Sequence, residues 1–180
     1  MILTSRDYAV RNLHYTIRSA ELRDARALSE VRLQIDGETE NMDRVHGEAY
    51  INEENFKEII QKDSDMLNHL FLVAEVNGGI AGFSRCEGNE LQRSSHKVEF
   101  GVGVLMDFWG YGIGKNLLKE SISWADSNHI IKMTLNVLET NEKAINIYKD
   151  NGFKVEGILQ KDKMLSDGKY YNTLLMGRLR

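Results

Sequence analysis

Three glycines at alternate positions, Gly110, Gly112 and Gly114, lie between the apolar run of residues 98–105 and a helix-forming stretch that opens at Ile113. A strand that turns through such a loop into a helix aims several unpaired backbone N–H groups, and the positive end of the helix dipole, at one point in space. With no side chains to obstruct approach, the loop suits an anion that comes close to the backbone, most simply a pyrophosphate. Spacing separates the phosphate-binding patterns that compete for these residues. A P-loop counted back from Gly114-Lys115 needs a glycine at Trp109 and a hydroxyl at Asn116, and the chain has neither. A dinucleotide fingerprint starting at Gly110 puts Lys115 where close helix packing requires a minimal residue. The chemistry indicated is the binding of a nucleotide-type cofactor.

The pattern that remains, Trp109-Gly110-Tyr111-Gly112-Ile113-Gly114 after a strand, resembles the coenzyme A loop of the GNAT N-acetyltransferase superfamily. The family usually opens this loop with Gln or Arg, and Trp109 departs from it in a way that resembles the ribosomal-protein N-acetyltransferase-like branch. A second stretch, Asn141-Glu142-Lys143-Ala144-Ile145-Asn146-Ile147-Tyr148-Lys149-Asp150-Asn151-Gly152-Phe153, resembles the family's N-x-x-A-x-x-x-Y-x-x-x-G-F segment. It also reads as a capped helix, with Asn141 at the N-cap, Glu142 in the first turn, Lys149 in the last and Gly152 as the left-handed C-terminal cap. The two motifs stand in the family's order, and the resemblance runs from about Tyr15 to Leu179.

The resemblance implies an enzyme, an N-acetyltransferase that moves an acetyl group from acetyl-CoA to a primary amine. An alkylamine of pKa ~10.4 is almost wholly protonated at pH 7, so a proton must be removed before attack, and the departing thiolate, of pKa ~8.5, benefits from a donor. The matched Tyr148 stands where family members place the group that protonates the sulfur, and Glu99 where many relatives carry the carboxylate that takes the amine proton. A carboxylate in an otherwise apolar strand is also costly unless it is paired or functional. His96 and Glu75 are the fallback bases. By position, the backbone at Val104, Leu105 and Met106 is expected to hold the pantetheine arm and thioester carbonyl. Tyr111, Gly112, Ile113, Gly114 and Lys115 are expected to hold the pyrophosphate, and Asn141 and Tyr148 to touch the arm. The competing reading from another class is a catalytically idle coenzyme A-binding sensor or regulatory module.

The rest of the chain supplies the elements that must position these residues. Residues 15–18 read as a first strand, and Leu22, Ala25, Leu28, Val31 and Ile35 recur at helical spacing behind it. A second helix is expected over 49–61. Two apolar runs, 70–76 and 80–86, flank Asn77-Gly78-Gly79, a tight hairpin signal. Strands at 98–105 and 133–137 each lead into a helix, and strands at 153–158 and 170–176 close the chain. The order βααββ-βα-βα-ββ gives an α/β GNAT fold: a mixed, mostly antiparallel central sheet of about seven strands flanked by about four helices. Residues 1–180 are expected to form a single domain, with 1–13 as an N-terminal extension.

Composition narrows the partners. A chain of 180 residues is an ordinary single-domain size. The lone Cys86 excludes an internal disulfide framework and reads as a core residue, and the N-terminus lacks an apolar leader, so the cytoplasm is the expected location. A net charge of −4 without a basic stripe argues against nucleic acid, and no window reaches the ~18 apolar residues of a membrane span. The five histidines have no metal-ligand spacing, so no metal is expected. A homodimer is left open. Residues 36–65 carry ten acidic groups against Arg44, Lys57 and Lys62. As the wall of an acceptor site this stretch would attract a small polyamine-like molecule or a basic peptide N-terminus, and otherwise it is a solvated face.

Overall fold

A computed structural model describes residues 3–180. Among them, eight strands form one sheet: β1 (Arg6–Val10), β2 (Leu13–Ser19), β3 (Leu70–Val76), β4 (Gly79–Gly88), β5 (Lys97–Val104), β6 (Lys132–Leu138), β7 (Lys154–Met164) and β8 (Tyr170–Leu179). Their spatial order is β1-β2-β3-β4-β5-β6-β8-β7, with every neighbouring pair antiparallel except β5 and β6. Four α-helices cover it: α1 (Ala25–Glu38), α2 (Glu53–Asp65), α3 (Ile113–Ser127) and α4 (Glu142–Asp150). No helix of the described residues is long and apolar enough to cross a membrane.

Sheet faces and helix stripes build two cores. On one face Leu117, Leu118 and Trp124 of α3 and Ile145 and Tyr148 of α4 pack with Val98, Phe100, Met133 and Leu135. On the other, Leu28 and Ile35 of α1 and Phe56 and Ile60 of α2 pack on Phe71 and Val73. Since β3 is covered on both sides, it reads as a continuous apolar run and not as an alternation. The β3–β4 hairpin turns through Asn77 (φ 49°) and Gly78 (φ 81°), left-handed residues that match strand twist. Asn141 caps α4 by accepting the Ala144 N–H at 3.3 Å, and Gly152 leaves that helix at φ 89°.

The structure departs from the sequence expectation in three places. The sheet has eight strands and not about seven, because residues 6–10, expected within an extension, form the edge strand β1 on β2. Met1 and Ile2, the start of that extension, lie outside the described residues. The second helix runs over Glu53–Asp65 and not 49–61, since Asn52 caps it by accepting the Asn55 N–H at 2.9 Å and Ala49 is left-handed at φ 45°. Leu22 stands in a 3₁₀ turn ahead of α1 and is exposed, whereas Ala25, Leu28, Val31 and Ile35 are buried.

Parallel pairing of β5 with β6 covers only Lys97↔Lys132, Val98↔Met133 and Glu99↔Thr134. Past Glu99 the strands part, and β5 runs on to Val104 beside a cleft.

Candidate active site

The parting of β5 and β6 frees a strand edge. Leu105 N–H donates to the Ala81 carbonyl at 2.9 Å, and Val104 lies opposite Gly82. In an antiparallel ladder that makes Gly82 and Val104 a non-hydrogen-bonded pair, so the polar groups of Val104 point away from β4. By the same alternation those of Val102 also face the cleft. The backbone of Val104, expected to hold the pantetheine arm, and that of Val102, for which the sequence carries no such expectation, therefore border the cleft. Two other positions are engaged within the protein. The Leu105 N–H is held by Ala81 and its side chain packs in the core beside α1 and α2, while the Met106 N–H donates to Glu38 Oε2 at 2.7 Å. The Trp109 indole N–H folds back onto the Val104 carbonyl at 2.8 Å, bracing the loop.

The glycine loop follows directly. Gly110 and Gly112 adopt φ 85° and 76°, which L side chains rarely tolerate, and Gly112 is the N-cap of α3. A Cβ on Gly112 would meet only ordinary contacts, the nearest 3.8 Å away at Asn116, so backbone conformation and not space demands glycine here. The first N–H groups of α3, from Ile113, Gly114 and Lys115, have no partner within their helix, as at any helix start. Tyr15 of β2 fixes the turn: its hydroxyl donates to the Tyr111 carbonyl at 3.3 Å and accepts from Asn116 Nδ2 at 2.6 Å. Nothing in the sequence signals the bonds Tyr15 makes to Tyr111 and Asn116, because they join positions far apart in the chain.

Tyr148 is 8 % exposed and sits among aromatic rings, edge-on to Phe100 of β5 with centroids 6.5 Å apart and 5.8 Å from Phe153. Its hydroxyl makes no hydrogen bond among the described residues. Burial pushes the phenol up to about 12, so it remains neutral across the physiological range.

Glu99 lies on the opposite face of β5, exposed, at the last register pair before the strands part. It borders a cleft of about 570 Å³ shared with Arg85, Glu87, Lys97, Gly101 and Thr134. Beyond Gly101, where a Cβ would meet nothing within 4 Å, the floor of this cleft is open. Glu87 faces Glu99 across the β4–β5 ladder. Arg85 clamps Glu87 at 2.8 Å and the buried Asp63 at 2.6 and 2.9 Å, so its charge is largely answered within the protein. The Lys97 ammonium forms no ion pair among the described residues.

Comparison with known proteins fits this geometry. The sequence profile of the acetyltransferase (GNAT) family matches residues 37–153. The chain belongs to the GNAT acetyltransferase family. It is 27 % identical over 165 residues to the L-amino acid N-acetyltransferase AaaT of Escherichia coli (strain K12), covering 91 % of this chain and 97 % of that one. Spermidine N(1)-acetyltransferase of the same strain is 30 % identical over 105 residues, 58 % of this chain and 55 % of that one. A crystal structure of a GNAT-family acetyltransferase from Streptococcus pneumoniae superposes with a TM-score of 0.89 at 28 % identity, covering 92 % of this chain and 99 % of that chain. The protein is an acetyl-CoA-dependent N-acetyltransferase.

Residues of this acetyltransferase fit the cosubstrate on structural grounds. The left-handed glycines leave α3 with free amides, and the parted strands leave Val102 and Val104 without a strand neighbour on one side. Asn141, expected to touch the pantetheine arm, has its side-chain oxygen on the Ala144 N–H as the α4 cap. Of the fallback bases, Glu75 is bound to Arg18 at 2.7 Å away from the cleft, and His96 is exposed just before β5. Cys86 is fully buried in the core, its thiol pushed up to about 12 by burial.

The acidic stretch divides. Asp36 is buried against Arg44 at 3.0 Å, Asp63 is buried against Arg85 and His69, and Glu53 and Glu54 flank Lys57 on the outer face of α2. Only Glu38, Glu40 and Asp43 reach toward the end of β5 and the β7–β8 hairpin, onto Met106 N–H, Ser166 N–H and Lys163.

Proposed function

We propose that this acetyltransferase acetylates the amine of a small zwitterionic acceptor, an α-amino acid, with Glu99 as proton acceptor and Tyr148 as donor to the departing sulfur. The observation that carries the reading is the pair Lys97 and Glu99, two residues apart on one face of β5 and bordering one cleft. At about 3.3 Å per residue their side chains emerge roughly 7 Å apart, room for one ammonium-and-carboxylate group between them. Lys97 offers an unanswered cation to the carboxylate. Glu99, which forms no ion pair among the described residues, offers its carboxylate to the ammonium, while Glu87 opposite it is held by Arg85. The resemblance to an L-amino acid N-acetyltransferase over nearly both full lengths supports the same acceptor class. A polycationic acceptor is less favoured, since Asp36, Glu53, Glu54 and Asp63 of the acidic stretch are ion-paired within the fold.

Acetyl-CoA supplies an acetyl group activated as a thioester. Glu99 takes a proton from the acceptor ammonium, directly or through water, and frees the nitrogen lone pair for attack on the acetyl carbonyl. As the carbon–sulfur bond breaks, the electron pair goes to sulfur, which Tyr148 meets as a neutral hydrogen-bond donor. The second proton, shed by the new amide nitrogen, passes through water to the thiolate, and the proton on Glu99 returns to solvent, leaving the N-acetylated acceptor and a free thiol. Burial keeps Tyr148 neutral, so its hydroxyl is available as a donor to the departing sulfur.

Thiol release from acetyl-CoA, measured with L-amino acids, their carboxamides, polyamines and peptides, tests the reading. Free amino acids are expected to react best, and Lys97→Met is expected to raise KM for them while leaving the carboxamides unchanged. Preference for a polyamine, or an unchanged KM in Lys97→Met, would overturn the acceptor assignment.

A further inference from the structure

Arg11 forms the tip of the β1–β2 hairpin and hangs beside the glycine loop. Its guanidinium carbon lies over the Tyr111 ring, 6.0 Å from the centroid, and its Nη1 would be 3.9 Å from a Cβ placed on Gly110. The position is built. Arg6 and the Tyr8 hydroxyl bind Glu120 of α3 at 3.1 and 2.5 Å, Tyr8 stacks on Tyr15 at 5.3 Å, and Tyr15 holds the Tyr111 carbonyl. The hairpin is therefore fastened to the same helix and turn that form the phosphate loop, although it precedes the residues 37–153 that match the family profile.

Two further observations set Arg11 apart. Its backbone is left-handed at φ 54°, a conformation that glycine takes freely and an arginine does not. Its charge is also unanswered, since it forms no ion pair among the described residues. In a chain of net charge −4, a polyanionic ligand meets a repulsive background, and a fixed local cation offsets it.

We infer that Arg11 is a phosphate-binding residue, its guanidinium leaving the half-buried Tyr111 ring to pair with a phosphate of coenzyme A on the glycine loop. The inference rests on the loop binding the cosubstrate. Guanidinium is suited to the role because its planar donors meet phosphate oxygens two at a time, and an exposed cation 6.0 Å from a ring centroid is held only weakly.

Calorimetric titration of the whole protein with coenzyme A and with 3′-dephospho-coenzyme A, alongside melting temperatures, tests it. Arg11→Gly relieves the left-handed backbone, so the melting temperature is expected to hold or rise while the Kd for coenzyme A rises about tenfold to a hundredfold. The Kd of the variant should depend less on salt, and Arg11→Lys should recover part of the affinity. A penalty that persists with 3′-dephospho-coenzyme A assigns Arg11 to the pyrophosphate, and one that vanishes assigns it to the 3′-phosphate. Equal coenzyme A affinity and salt dependence in Arg11→Gly and wild type would overturn the inference alone. Absence of coenzyme A binding by the wild type would overturn the loop assignment with it.

Discussion

Asn116 donates its side-chain amide to the Tyr15 hydroxyl at 2.6 Å, and through that hydroxyl it governs the peptide between Tyr111 and Gly112. A trans peptide points its N–H opposite to its carbonyl, so holding the Tyr111 oxygen on Tyr15 turns the Gly112 N–H the other way. Tyr15→Phe keeps the stacked ring and removes the bond. Its affinity for coenzyme A is expected to fall about threefold to tenfold, the equivalent of one hydrogen bond, and calorimetry measures it directly. Unaltered affinity would mean that the turn holds its shape without Tyr15.

Gly112→Ala and Gly112→Val are expected to lose coenzyme A binding by at least about tenfold, because φ 76° costs an L side chain roughly 1–2 kcal/mol before any clash with ligand. Gly112→Asn, a residue that tolerates this backbone better, should retain more affinity than Gly112→Ala despite its larger size. The reverse ranking would show that space, not backbone angle, sets the requirement.

Tyr148→Phe is expected to lower kcat about 100-fold with little change in acetyl-CoA affinity, since a bond to the departing sulfur strengthens only as the sulfur leaves. With the phenol held near 12, the wild-type pH–rate profile should show no downturn from this residue below pH ~10. The same shift has a stability consequence. Between pH ~10, where the unfolded phenol ionises, and ~12, where the folded one does, the folded state binds the extra proton and stability falls as pH rises. Alkaline melting of Tyr148→Phe should accordingly be less steep over that interval than that of the wild type.

Glu99→Gln should cost most at low pH. There the amine is most fully protonated and a base matters most, whereas toward pH 9–10 free amine accumulates unaided and the deficit should shrink. A deficit constant across pH would assign Glu99 to holding the acceptor and not to proton transfer.

The residues that act through the backbone were the legible ones. A glycine at Gly112 announces its left-handed turn, and Asn141 and Gly152 announce the ends of α4, since both signals are local in the chain. Contacts between distant segments were not legible. Glu38 on the Met106 N–H, Tyr15 on the Tyr111 carbonyl and the pairing of Asp63 with Arg85 each depend on sheet order. That is why Met106 read as an open amide and residues 36–65 as an acidic wall. Strand β1 escaped notice for a related reason: it is a short, mostly exposed edge whose value lies in Arg6 and Tyr8 reaching Glu120.

The central claim is that the parted strands and the glycine loop bring acetyl-CoA to an amine beside Glu99, and it is tested most directly by counting products. Incubation with acetyl-CoA and L-amino acids is predicted to release free thiol one-for-one with N-acetylated product, slowly in Glu99→Gln and Tyr148→Phe. Saturable acetyl-CoA binding with no amine-dependent thiol release, from amino acids, polyamines or peptides, would contradict the account and leave a coenzyme A-binding module.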